Sequence, residues 1–142
     1  MRFGVSAVIA VASVALAACG TAAEEAPGPE ATEMAQASVE TLDAAQLSAL
    51  LEDGSIRLID VRTDEEVAEG MIPGAEHIVL DDFDPAALDT SDGREVVLYC
   101  RSGRRSGIAA EKLAAHTGET ARHLEGGILA WQAAELPISQ PE

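Results

Sequence analysis

Cys100 is the residue on which chemistry can turn. It closes the apolar run Val96-Val97-Leu98-Tyr99 and opens the loop Arg101-Ser102-Gly103-Arg104-Arg105-Ser106. A short β-branched run of this kind reads as a buried strand. The residues after the cysteine are Gly, Ser and Arg, and from Ile108 to His116 the pattern turns helical. The thiol therefore stands at the carboxyl end of a strand, facing free backbone N–H groups and the positive end of a helix dipole. A turn of successive N–H groups forms an anion-binding concavity. Both effects favour the thiolate, which is the nucleophile. Arg101, Arg104 and Arg105 add positive charge to the same loop. A lone cysteine can also be an inert, small buried hydrophobe. The electropositive, glycine-containing setting favours the reactive reading. Cys100 is thus the candidate nucleophile, and Arg101, Ser102, Gly103, Arg104 and Arg105 are the candidate anion-binding residues.

Positioning this loop requires a set of alternating elements. A helix is expected from Thr41, with Leu47, Leu50 and Leu51 on one face and Gly54 as its stop. Ile56 to Val61 reads as a strand. Thr63-Asp64-Glu65-Glu66 has the spacing of a capping box for a short helix that Gly70 ends. Ile72-Pro73-Gly74 predicts a turn, followed by a strand near His77 to Leu80. An acidic loop from Asp81 to Gly93, with a short helix after Pro85, leads to a central strand from Glu95 to Cys100. A helix from Ser106 to Thr117, a strand from Ala121 to Leu124 and a last helix from Gly126-Gly127 through Trp131 complete the domain, with Pro137 at the exit. Such alternation predicts an α/β fold, an open and mostly parallel sheet with helices on both faces. Sites in these sheets form at the carboxyl ends of strands, which gathers Asp60, Cys100 and Glu125 on one rim.

Asp60 and Arg62 have two readings. They can support the active loop, or they can pair with each other and serve the next turn; short polar residues at strand-to-helix turns more often do the latter. His77, His116 and His123 are scattered without a shared helical spacing, so no metal site is expected. A histidine acting as base for Cys100 stays open. Gly126-Gly127 lacks the third glycine of a dinucleotide fingerprint. Met71 and Trp131 read as packing residues.

The chain of 142 residues carries 25 acidic and 9 basic side chains, a net charge of −16. That balance argues against nucleic-acid binding, which needs basic patches. Residues 1–18 hold Arg2, an apolar run from Phe3 to Ala18 and no acid, the order of an export signal. The run is about 16 residues, short of the roughly 20 that span a bilayer. It ends Leu16-Ala17-Ala18-Cys19, which resembles the bacterial lipoprotein box. The resemblance implies cleavage before Cys19 and lipidation of that residue, hence export and a lipid anchor at the cell envelope, on the outer membrane where there is one. Residues 19–37, rich in Ala, Glu and Pro, read as an acidic disordered tether. Residues 38–142 form the single folded domain, expected to be a monomer. With Cys19 lipidated, Cys100 has no partner for an intramolecular disulfide.

Four motifs in order resemble the rhodanese family of sulfurtransferases. Cys100-Arg101-Ser102-Gly103-Arg104-Arg105-Ser106 resembles its active-site loop, Cys-x-x-Gly-x-Arg followed by Ser or Ala. Leu58-Ile59-Asp60-Val61-Arg62 resembles its first core strand. Glu66 through Gly70-Met71-Ile72-Pro73-Gly74-Ala75 resembles its Glu-x-x-x-Gly-His-Ile-Pro-Gly-Ala segment, with Met71 where the family has His. Gly126-Gly127 with Trp131 resembles its late Gly-Gly-x-x-x-Trp. The likeness covers about residues 38 to 138. It implies a rhodanese-like sheet and sulfur transfer from thiosulfate or a related anionic donor to a thiol, cyanide or protein acceptor, through a persulfide on Cys100 and with no cofactor. Related phosphatases and arsenate reductases have a loop one residue longer than the four residues between Cys100 and Arg105. A persulfide carrier serving a protein partner would use the same residues.

Overall fold

The computed structural model describes residues 37–141. The proposed leader and the tether up to residue 36, including Cys19, lie outside the described residues. Five strands, β1 (Val39–Leu42), β2 (Ile56–Asp60), β3 (Glu76–His77), β4 (Glu95–Tyr99) and β5 (Ala121–Leu124), alternate with four helices, α1 (Ala44–Asp53), α2 (Asp64–Ala68), α3 (Arg104–Thr117) and α4 (Gly127–Ala133). Single 3₁₀ turns occupy Leu80–Asp82 and Pro85–Ala87. The strands form one sheet in the order β1-β5-β4-β2-β3, every neighbouring pair parallel. Parallel neighbours need a crossover between them, and these helices and turns supply it.

Side-chain alternation sorts the central strands between two cores. Leu58, Val97 and Tyr99 face one side, packed with Leu47 of α1 and Ile128 and Trp131 of α4. Ile59, Val61, Val96, Leu98 and Cys100 face the other, against Ala109, Ala110 and Leu113 of α3. A sheet covered on both faces explains why β4 is apolar from Val96 to Tyr99 and not alternating. The same two-residue period points Cys100 toward α3.

Three boundaries differ from the sequence expectation. Thr41 does not begin α1; it lies in β1, paired with His123. Asp43 caps α1 instead, accepting from the Gln46 N–H at 2.8 Å while the Gln46 side chain accepts from the Asp43 N–H at 2.9 Å. At the other helix of interest, α3 starts at Arg104, two residues before the expected Ser106. Arg104 and Arg105 therefore belong to its first turn, and the true loop is Cys100 to Gly103. The strand after Pro73 is also shorter than expected, because the chain turns into a 3₁₀ turn at Leu80.

Candidate active site

Cys100 lies one residue past β4 and is 1% exposed. Its Sγ accepts a hydrogen bond from the Gly103 N–H at 3.1 Å. Gly103 has a φ of +95°, which folds the loop back over the sulfur and starts α3 directly behind it. The carbonyls on the other side of the loop are held away. Ile128 N–H donates to the Cys100 carbonyl at 2.8 Å and Leu129 N–H to the Arg101 carbonyl at 3.2 Å. Within a planar trans peptide, C=O and N–H point in opposite directions. Fixing these two carbonyls toward α4 turns the N–H groups of Arg101 and Ser102 the other way.

Gly126 and Gly127 make that arrangement fit. A Cβ on Gly127 would stand 2.3 Å from the Cys100 carbonyl oxygen and 2.5 Å from the Arg101 carbonyl, both backbone. A Cβ on Gly103 would come within 3.2 Å of the Gly126 nitrogen. The glycine pair is the abutment against which the cysteine loop is pressed.

The electrostatics follow from these contacts. Burial pushes the Cys100 thiol up, but the Ser106 amide and hydroxyl and the Ser102 and Gly103 amides outweigh it, leaving the thiol below its ordinary range. Hydrogen bonds to the charged form favour it, and they win here over desolvation.

The arginines divide into two groups. Arg105 makes a bidentate ion pair with Glu66, and this contact holds the Glu66 carboxyl down at about 2. Glu66 also closes the capping box with Thr63. Arg62 and Asp60 pair with each other, at 2.9 Å through Nε and 2.6 Å through Nη2. Arg62 further donates to the carbonyls of Glu66 and Gly70, and its guanidinium lies 5.7 Å over the Tyr99 ring. The buried Asp60–Arg62 pair thus secures the carboxyl-terminal half of α2 and the turn after it, and α2 presents Glu66 to Arg105. By contrast, Arg101 and Arg104 are exposed and form no ion pair among the described residues. A cleft of about 390 Å³ opens beside the loop, lined in part by Arg62, Glu66, Arg101, Leu129 and Gln132. A larger hollow of about 640 Å³ surrounds Glu40, Glu95 and Arg122 at the amino ends of the strands, the pole opposite Cys100.

Three contributors escaped the sequence reading in their structural roles. Glu66 stood out only as a cap and motif residue, although an acid preceding the Ile72-Pro73-Gly74 turn could have been matched with a loop arginine. His123 looked isolated, yet its Nδ1 lies 3.1 Å from the Ser106 Oγ. Gly127 gave no signal of its contact with Cys100, which is remote in sequence. Among the described residues, no group of three or more His, Cys, Asp or Glu side chains could hold a metal ion.

The family follows from comparison with known proteins. The model of the rhodanese-like domain matches residues 43–134, so the chain belongs to that family. It is 38% identical over 105 residues to a sulfurtransferase of Allochromatium vinosum, covering 73% of this chain and 98% of that protein. It is 34% identical over 110 residues to the human thiosulfate:glutathione sulfurtransferase, covering 67% of this chain and 95% of the relative. A solved structure from Rhodopseudomonas palustris, of a protein described as a possible tyrosine phosphatase, matches with a TM-score of 0.63 at 29% identity, covering 71% of this chain and 85% of that one.

Proposed function

We propose that the protein is a sulfurtransferase that moves sulfane sulfur from thiosulfate or a related donor to a thiophilic acceptor through a persulfide on Cys100. The observation that carries this reading is the buried Cys100 sulfur under the Gly103 N–H, with the loop carbonyls pinned away from it. The names of the Allochromatium and human relatives support the same chemistry.

The reaction is a two-step exchange. The Cys100 thiolate attacks the outer sulfur of thiosulfate and a new S–S bond forms. The bond between that sulfur and the sulfonate breaks, and sulfite departs with the bonding pair. The outer sulfur of the persulfide keeps one negative charge, held by the loop N–H groups as an oxyanion hole holds oxygen. An acceptor thiolate or cyanide then attacks this sulfur, and Cys100 leaves as thiolate. Arg101 and Arg104, exposed and free of ion pairs among the described residues, are the cations that meet the anionic donor.

Phosphate or arsenate chemistry is the less favoured reading. An arginine that binds a tetrahedral oxyanion must offer its guanidinium fork to the substrate. Arg105 gives its end-on fork, one N–H from each Nη, to Glu66. The four-residue span from Cys100 to Arg105 also makes a small cradle.

Intact-mass measurement of the reduced protein before and after thiosulfate tests the proposal. The expected result is a gain of about 32 Da, one sulfur atom, reversed by cyanide and absent in Cys100→Ser. No gain from thiosulfate or from glutathione persulfide, with hydrolysis of phosphate esters in its place, would overturn it. Acceptor kinetics then separate free turnover from a carrier that serves one protein partner.

A further inference from the structure

Ser106 stands where one hydroxyl proton has more acceptors than it can serve. The residue is fully buried in the first turn of α3. Its Oγ lies 3.1 Å from the Gly103 carbonyl and 3.1 Å from His123 Nδ1, and the N–H of the same Gly103 donates to Cys100 Sγ at 3.1 Å; the Ser106 hydroxyl and amide favour the charged form of that sulfur. A serine hydroxyl carries a single proton. Which acceptor receives it depends on what the imidazole does.

His123 lies in β5, 9% exposed, with Gly107 of α3 against its ring. Burial pushes its pKa down against the opposing field of Glu125, the charged group that acts on it, so the ring is neutral near pH 7. A neutral imidazole has one N–H. With the proton on Nε2, Nδ1 becomes an acceptor and draws the Ser106 proton away from the loop. With the proton on Nδ1, the ring donates to Oγ and the hydroxyl proton stays on the loop side. There it can bond the Gly103 carbonyl while Cys100 is a neutral thiol. Rotation about the Cβ–Oγ bond redirects the proton when the sulfur is charged, in keeping with the hydroxyl's lowering of the Cys100 pKa.

We propose that His123 is a positioning residue for sulfur transfer: its Nδ1–H holds the Ser106 hydroxyl so that the hydroxyl proton is offered to the anionic sulfur on Cys100. The inference rests on Cys100 being the reactive thiol of the proposed function. It adds a second hydrogen-bonded layer beneath the loop amides, built from a side chain of β5.

Three variants of the full chain test it. Asn places an amide nitrogen on Cγ, as Nδ1 is, whereas Leu has the same branched shape and no donor. Gln carries its amide one bond further out. The readout is the pH profile of iodoacetamide alkylation, followed on the tryptic peptide Glu95–Arg101, which contains Cys100 and not Cys19. His123→Leu and His123→Gln should each raise the titration midpoint of Cys100 by about one pH unit, roughly tenfold less thiolate below it. His123→Asn should stay near the parent profile. In a Ser106→Ala background, the His123 substitutions should have no further effect. Where His123→Leu fails to fold, His123→Gln carries the comparison. Equal profiles for His123→Leu, His123→Gln and the parent would overturn the proposal, as would an undiminished His123 effect without the Ser106 hydroxyl. Alkylation reads the thiol directly, so failure of the sulfur-gain experiment would defeat the sulfurtransferase reading without altering this result.

Discussion

Arg105 and Glu66 are joined across 39 residues of sequence by two hydrogen bonds, Nη1 to Oε2 at 2.6 Å and Nη2 to Oε1 at 2.7 Å. The pair ties the first turn of α3 to α2 and so fixes one side of the cysteine loop. Because Glu66 is held at about 2 instead of 4.5, it binds fewer protons in the folded state than in the unfolded one between those values. The pair therefore stabilises the fold fully above about pH 4.5 and loses its effect as the pH falls toward 2. Both side chains are partly open to solvent, so the contribution is on the order of 1 kcal/mol. Glu66→Gln should lower stability at pH 7 by that amount and flatten the acid limb of the stability curve. Denaturant unfolding between pH 2 and pH 7 measures it; an unchanged acid limb would show that the pair is energetically silent.

Gly127→Ala is expected to be far more damaging than its chemistry suggests. The added methyl would overlap backbone atoms of Cys100 and Arg101, which cannot rotate aside, and Gly127 has a φ of +58°. Gly74→Ala is the control, since its φ is +82° with nothing within 4 Å of the added atom. The control should cost about 1–2 kcal/mol of stability from backbone strain alone and keep its activity. Gly127→Ala should cost more than the control and lower kcat/KM for thiosulfate at least about tenfold, because the loop must shift. Similar kinetics for the two variants would remove the abutment role assigned to Gly127.

Salt dependence reports on two opposing fields. The chain as a whole carries −16 and repels thiosulfate, whereas Arg101 and Arg104 attract it at short range. Screening acts within about 10 Å at 0.1 M ionic strength. Raising salt from low values to that concentration should increase kcat/KM about twofold by weakening the long-range repulsion. A steady fall from the lowest salt onward would mean that the local arginines set the encounter rate.

The box Leu16-Ala17-Ala18-Cys19 makes a separate expectation. Full-length protein produced in a bacterium should fractionate with membranes and carry acyl chains on Cys19. Cys19→Ala should appear without acyl mass. Recovery of unmodified full-length protein from both would reject lipid anchoring.

Much of the α/β alternation was legible because apolar runs and punctuating glycines are local signals. The capping box at Thr63 and Glu66, the short 3₁₀ turn after Pro85 and the strand Ala121 to Leu124 all follow from neighbouring residues. The strand β1 was not legible. Val39-Glu40-Thr41-Leu42 is three-quarters exposed and gains its conformation by pairing with β5, a partner some 80 positions away. The early start of α3 was hidden for a related reason. Gly103 can be read as flexible, but its left-handed turn is fixed by Gly126 and by the sulfur it covers. In the site, residue types marked Cys100 and its arginines as candidates, with Arg105 as a brace for the loop; what the folded arrangement adds is the partner, Glu66, and the exposure of Arg101 and Arg104. His123 reaches Ser106 through strand pairing and helix placement together, which no spacing in one segment records.

The parallel pairing of β1 has a mechanical consequence. Chain entering at Ala37 arrives at the amino ends of the strands, while Cys100 opens at the carboxyl ends. Tension drawn through the residues ahead of β1 would run along the strand axis and load its ladder with β5 in shear, every hydrogen bond resisting together. A shear-loaded edge strand yields far less readily than one peeled bond by bond. The domain can thus be held by its amino end like a lamp on a bracket, with the buried Cys100 and its loop at the far pole, outside the line of force.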